Sequence, residues 1–241
     1  FGEFHNKTKN YFSGPKSELP EESGGWCDYM VELEFFKSMP EGIRKDAWFL
    51  TKVTMTGQER NPETGRYPLL NWDDPATNQK HPYWKKNIES SDWVFNYDDG
   101  YYETKGISSA SGKTRMIFRY ADILLLYAEA VAYGTKSIDD LAFDCMWRVQ
   151  ERAGVPLISK DVTKEYFQKA VLDERRWETA GMEHSCMGRF FTMQRHEILH
   201  LQKNYRDAAE LSLNPNLTLS EEFYYFPIPD NELLIVPGLK D

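Results

Sequence analysis

The stretch RYADILLLYAEA, Arg119–Ala130, decides the fold of this chain. Its apolar positions leave no broad polar face, because Ile123, Leu124, Leu125, Leu126 and Tyr127 run together. A helix hydrophobic nearly all round belongs in a core rather than on a surface, so this one is expected to be buried on both faces. Ala121 and Ala128 share one face, where small side chains let a neighbouring helix approach closely. The apolar run is far too short to cross a bilayer, and Asp122 and Glu129 flank it. These residues describe the central helix of an all-helical packing and carry no chemistry.

Working outward, residues 116–241 hold helical patterns in series. The first runs from about Ile117 to Tyr133 and stops at Gly134. The second opens at Ser137, an N-cap candidate with Asp140 three residues on, and continues to Ala153 before Gly154 and Pro156. The short link between them predicts an antiparallel αα-hairpin. A third helix is expected from near Thr163 to about Ala180, and Arg189 to Tyr205 could hold another. The tail FYYFPIPDNELLIVPGLKD contains three prolines and is expected to lie extended over the helices.

Residues 1–115 have a different texture. Turn-rich segments such as SGPKSELPEESGG, TGQERNPETGRYP and NWDDPATNQKHP separate short aromatic runs. One helix is expected over Tyr29–Lys37, and short strands over Trp48–Thr56 and Asp92–Tyr97. Loops this long are usually functional. The division is therefore a loop-rich, ligand-facing part over 1–115 and a helical scaffold with an extended tail over 116–241.

Composition narrows the function. The 241 residues carry 29 Lys and Arg against 38 Asp and Glu, a net charge of −9. That balance argues against a nucleic-acid binder, which needs a basic face for phosphates. Aromatic residues make up 15%, more than one core readily buries, and exposed planar rings suit the flat apolar faces of sugars. Cys27, Cys145 and Cys186 have neither an even count nor CxxC spacing, so they form neither a disulfide framework nor a zinc site by spacing. Cys145 falls in a helical pattern and reads as a small buried apolar residue. The chain begins FGEFHNK, without start Met or signal-peptide pattern, which is the expectation for a mature or partial chain.

Several segments in order resemble the SusD/RagB family of outer-membrane glycan-binding lipoproteins. RYADILLLYAEA is close to that family's most characteristic helix, and VQERAGVP at Val149–Pro156 to the end of the next, with Gln150 where the family usually has Arg. YFQKAVLDERRWETA at Tyr166–Ala180 resembles the following helix, and FPIPDNEL at Phe226–Leu233 the closing motif. GGW at Gly24–Trp26 and FFKSMPEGIRKDAWF at Phe35–Phe49 are weaker matches in the right order. After the ERRWE helix the chain departs from the family: His184 aligns, but Ser185 and Gly188 stand where the family has Arg and Asp. The likeness spans this chain and the C-terminal half of a family member. It implies a mostly α fold of TPR-like helical pairs with long irregular loops and a few short strands. It also implies a non-catalytic, cofactor-free glycan-binding protein at the cell surface, working with a SusC-type TonB-dependent outer-membrane transporter in nutrient uptake. Membrane attachment would come only through a lipid anchor carried by the other half.

For glycan capture the useful residues are loop aromatics and neighbouring polar groups. The candidates are Trp26 beside two glycines, Trp72 and Asp73 in NWDDP, and Tyr83 and Trp84 in HPYWKKN. Trp48, Trp147 and Trp177 lie in regular elements and are expected to pack. The pairs Glu21/Glu22, Asp73/Asp74 and Asp98/Asp99 could be imagined as glycosidase acids but read as solvated turn charges. Glu174, Arg175, Arg176 and Glu178 sit mid-helix and read as an ion-pair network between helices.

Two alternatives come from other classes. HEILH at His196–His200 fits H-E-x-x-H, in which two His on one helix face bind zinc and the Glu activates water. Arg195 and Gln202 do not suit the usual buried setting, no HxxGxxH extension follows, and Glu210, Glu221 and Glu222 lack a convincing second helix motif. A zinc-dependent metallopeptidase is thus one alternative, and a TPR-like protein-interaction module without glycan binding is the other.

Overall fold

Residues 31–54, 59–77, 81–85, 93–95, 101–104, 118–181, 190–201, 208–213, 228–236 and 238 are described by a computed structural model of the chain. The protein is mostly α. Helices α1 (Leu33–Ser38) and α2 (Ile43–Trp48) precede strands β1 (Phe49–Leu50), β2 (Lys52–Thr54), β3 (Leu69–Asn71), β4 (Tyr83–Trp84), β5 (Trp93–Phe95) and β6 (Tyr102–Thr104). The strands pair antiparallel as β1 with β4, β2 with β3 and β5 with β6. Helices α3 (Tyr120–Tyr133), α4 (Asp140–Ala153) and α5 (Lys164–Thr179) follow, then α6 (Ala208–Leu213) and α7 (Asp230–Ile235).

Local chemistry sets the ends of the long helices. Asp122 caps α3 by accepting from the Arg119 backbone N–H at 2.8 Å, so the helix starts at Tyr120 rather than near Ile117. Asp139, not Ser137, caps α4: its carboxylate accepts from the Ala142 N–H at 2.8 Å, one residue before the helix begins. An ionised carboxylate beside the first turn also suits the helix dipole, which a serine hydroxyl two residues further back cannot match. Gly154 ends α4 in a left-handed conformation, and α5 starts where expected, with the Thr163 side chain as its N-cap.

The main core lies where α4 and α5 both pack on α3. It joins Ala121, Leu125, Ala128 and Ala132 of α3 to Phe143, Cys145, Met146 and Val149 of α4 and to Phe167 and Val171 of α5. Ala121 and Ala128 are buried, so the small-residue face does admit close neighbours. Burial also pushes the Cys145 thiol above its ordinary pKa, consistent with an unreactive packing residue. The expectation that α3 is buried all round is corrected. Its outer face leaves Tyr120, Ile123, Leu126 and Tyr127 exposed, because α4 and α5 lie on the alanine side.

A second core of Val31, Phe35, Met39, Phe49 and Trp84 underlies the first part of the chain. Gly42 joins it to the scaffold: a Cβ there would stand 2.8 Å from the carbonyl oxygens of Ala153 and Gly154 at the end of α4. A buried ion cluster completes the join. Arg44 of α2 contacts Glu174 and, at 3.2 Å, Glu178, both on α5. Glu178 also accepts from Arg119 at 2.8 Å and from Arg152 at 2.5 Å. One turn earlier on α5, Arg175 pairs with Glu129 of α3. The ERRWE residues are therefore the expected ion-pair network between helices.

Two expectations for the first and last segments change. Trp48–Thr56 is not one strand: Trp48 ends α2, and β1 and β2 follow with Thr51 between them. The tail is not wholly extended, since Asp230–Ile235 is helical. Pro229 precedes this helix, and Asp230 and Glu232 place negative charge in its first turn, where the dipole favours it.

Leu125 is fully buried and Leu126 half exposed, which gives a direct test of the arrangement. Leu125→Ala should cost about 2–5 kcal/mol in urea unfolding, whereas Leu126→Ala should stay within about 1 kcal/mol. Arg44→Met should cost about 3–5 kcal/mol, because it strands Glu174 in the interior without its cation. Burial pushes the Glu174 carboxyl above its ordinary range, with Arg44 pulling the other way. A carboxyl whose folded pKa is raised gains folding stability as pH falls from neutral toward its unfolded value. The stability cost of Glu174→Gln should accordingly grow between neutral pH and the ordinary carboxylate range. A cost that shrinks over that window would contradict this sign.

Candidate functional site

The site is built on the second core. Phe35 and Phe36 are adjacent on α1, so their rings point in different directions. Phe35 is buried against Phe49 and Trp84. Phe36 faces a cleft of about 330 Å³, lined also by Glu41, Lys45, Asp46, Phe49, Leu50, Thr51, Lys52 and Lys85. The floor is aromatic: Phe36 meets Phe49 edge-on at 5.1 Å between centroids and Trp72 edge-on at 5.8 Å.

Trp72, packed against Phe36, is held by its own turn. Its N–H donates to the Thr51 carbonyl at 2.9 Å, extending the β2–β3 ladder by one residue. The buried Thr77 hydroxyl donates to the Trp72 carbonyl at 2.9 Å, with the Asp74 carbonyl 2.8 Å away. Asp74 turns its carboxylate inward to accept from the Ala76 N–H at 2.8 Å. Asp73 remains exposed beside the half-buried Trp72. The NWDDP turn thus presents a ring and a carboxylate on a pinned backbone, which lowers the entropy lost on binding.

The charges of the cleft are partly committed. Lys45 donates to the Met39 carbonyl at 3.1 Å and to Glu41 at 2.5 Å, and its ammonium sits 4.5 Å from the centre of the Phe36 ring. Lys85 reaches the Asp46 carbonyl at 3.4 Å. Lys52 is exposed on β2 opposite Asn71.

The candidates named from sequence fall into different places. Trp72 packs edge-on against Phe36 of the cleft wall without itself lining the cleft, and Asp73 follows it, exposed, on the same turn. Tyr83 and Trp84 are corrected to packing residues, at 4% and 8% exposure. Trp84 is in ring contact with Phe35 and Phe49, and a Cβ at Gly181 would come within 2.6 Å of its ring, so the end of α5 lies directly on it. The HPYW segment reads as a loop, yet β1–β4 pairing turns its aromatics inward. Trp26 lies outside the described residues, as do the acidic pairs Glu21/Glu22 and Asp98/Asp99. Trp48, Trp147 and Trp177 pack against the cores as expected. Phe36, Lys45, Lys52 and Lys85, which line the cleft, fall outside the loop-aromatic pattern. The adjacent Phe pair on one short helix was the available signal, since only one of two neighbours can face the core.

HEILH does not form a zincin helix. The helical segment 190–195 ends at Arg195, a turn follows, and Glu197 has a left-handed φ of 55°. His196 and His200 are therefore not one helical turn apart on a common face. His196 instead lies 2.8 Å from Glu129 and stacks on Tyr133 with centroids 4.0 Å apart. Among the described residues no group of three or more His, Cys, Asp and Glu is placed to hold a metal ion, and no helix is long and apolar enough to cross a membrane.

The mostly helical scaffold thus carries an aromatic-walled cleft among short helices, strands and turns. The SusD family model (SusD_RagB) matches residues 3–241, and the chain belongs to that family. No curated protein matches it in sequence. Among solved structures it is similar to a SusD superfamily protein from Parabacteroides distasonis, with TM-score 0.63 and 17% identity over 97% of this chain and 46% of that one. It is also similar to surface glycan-binding protein A from Bacteroides uniformis, with TM-score 0.54 and 18% identity over 96% of this chain and 45% of that one. A SusD superfamily protein from Bacteroides vulgatus gives TM-score 0.55 and 20% identity over 92% and 46%. These likenesses establish the TPR-like, SusD-type fold. The chain spans just under half the length of each of these structures.

Proposed function

We propose that this chain is the C-terminal portion of a non-catalytic, cell-surface glycan-binding protein. Its loop-rich part over 1–115 faces the ligand, and the helices and tail of 116–241 support it. The observation that carries this reading is the cleft walled by Phe36 and Phe49 with Trp72 packed edge-on against Phe36, on a fold similar to that of a surface glycan-binding protein. Sugar rings offer apolar C–H faces to a planar indole, and their hydroxyls donate to a carboxylate, so Trp72 and Asp73 supply complementary contacts. In the whole protein the bound oligosaccharide passes to a SusC-type TonB-dependent transporter for nutrient uptake. Attachment of the whole protein to the outer membrane is by a lipid anchor.

Binding to a panel of polysaccharides by affinity electrophoresis and calorimetry tests this. Trp72→Ala should weaken the retained glycan by roughly tenfold or more, the equivalent of about 1.4 kcal/mol, and Asp73→Ala by a smaller factor. Trp26→Ala belongs in the same series. Trp84→Ala should instead lower stability, by about 3–5 kcal/mol. Wild-type affinity in both Trp72→Ala and Asp73→Ala would show that the site is elsewhere. If no glycan binds, the TPR-like protein-interaction reading takes its place.

A further inference from the structure

Every exposed residue of α3 is apolar or aromatic. Tyr120, Ile123, Leu126, Tyr127, Ala130 and Tyr133 stand in solvent, and the two carboxylates of the helix, Asp122 and Glu129, are not among them. We infer that this face is a seam, covered in the whole protein by another apolar helix of the same TPR-like array, carried by the portion of the longer protein that this chain does not span. This rests on the reading of the chain as part of a longer protein, and adds to it the surface on which the parts join.

The neighbouring helices show that the pattern is particular to α3. Along α4 the exposed residues are Asp140, Asp144, Arg148, Glu151 and Arg152 beside a single leucine, and along α5 they are Glu165 and Lys169 beside a single tyrosine. Those outer faces are charged, as a helix face that meets water should be. The polar groups that the α3 face does have are already engaged. The Tyr120 hydroxyl accepts from Arg148 at 2.9 Å, and the Tyr127 hydroxyl donates to the Asp139 cap of α4 at 2.9 Å. What remains for a neighbour is chiefly ring carbon and aliphatic side chain. The exposed positions keep the three- and four-residue spacing of a helix-packing ridge, with the small Ala130 among larger side chains. An array of helical pairs buries the apolar face of each pair on the next, and a terminal pair needs a polar outer face. The outer face of α3 is that of an internal pair. The chain spans just under half the length of each similar solved structure, which leaves ample polypeptide to supply the next helix. A net charge of −9 opposes association of two copies, so the rest of the same protein is the better occupant.

Hydroxyl-radical footprinting of the whole protein and of the 241-residue chain, both dilute, reads the coverage directly. Oxidation of Tyr120 and Tyr127 is measured relative to Tyr166 of α5, which is 60% exposed against 63% for Tyr120 and lies off the seam. Relative oxidation of both tyrosines should be several-fold slower in the whole protein. A second arm places a charge in the seam. Ile123→Lys should lower the thermal unfolding midpoint of the whole protein by several degrees, since it buries an unpaired ammonium. In the 241-residue chain the same change meets water and should move the midpoint by no more than about 2 °C. Equal relative oxidation in the two forms, or an unmoved midpoint for Ile123→Lys in the whole protein, would overturn the inference. Protection that appears in the shorter chain alone and rises with its concentration would assign the face to a second copy, and overturn it as well. A reading frame of only these 241 residues would remove both the seam and the longer-protein reading. Neither arm involves a sugar, so a failure of glycan binding leaves the seam standing, and an uncovered α3 leaves the glycan-binding reading standing.

Discussion

Glu178 is the point at which four helices meet. It sits on α5 and is almost inaccessible, and its carboxylate receives Arg44 from α2, Arg119 from the start of α3 and Arg152 from α4. A buried carboxylate is tolerated only when its cations and hydrogen bonds arrive together. Once α5 is placed, α2 is therefore fixed against it through Arg44, which Glu174 also engages. With α2 fixed, Lys45, Asp46 and the start of β1 take their places along the cleft. The close approach of Gly42 to the end of α4 reinforces the same joint. The cleft is thus positioned by charges that never touch it.

This arrangement explains why the scaffold could be read from sequence and the site only in part. Helices α3, α4 and α5 announce themselves because caps, stops and apolar spacing act within a few residues. Thr163 and Gly154 show this directly, and even the displaced cap at Asp139 lies two residues from the expected Ser137. The face of α3 is a different matter. Its composition says apolar all round, but which side is covered depends on where α4 and α5 come to rest. The same limit applies to the aromatics. Trp72 and Trp84 both lie in turn-rich sequence, and nothing local separates them. The separation comes from β1–β4 pairing and from Gly181, neighbours distant in the chain that close over Trp84 while Trp72 stays half-buried.

Placement also bears on the HEILH motif. The HEILH pattern is genuine in the sequence, yet the break at Glu197 removes the regular helix on which the zincin arrangement depends. Its His196 joins Arg175 and Arg195 around Glu129, so the histidine belongs to a second buried carboxylate cluster. The ERRWE residues are likewise committed to structure. The residues that make the family recognisable hold helices together, and the proposed ligand groups lie on turns whose sequence is less distinctive.

Heteronuclear NMR of the tryptophan indoles during a glycan titration measures the central claim most directly. The Trp72 indole resonance should shift saturably with the bound fraction. Trp147, whose indole donates to the Ile158 carbonyl at 2.7 Å within the helical scaffold, should not move. A saturable shift at Trp147 with Trp72 unmoved would contradict the account, because it would place the ligand on the helices rather than in the cleft they support.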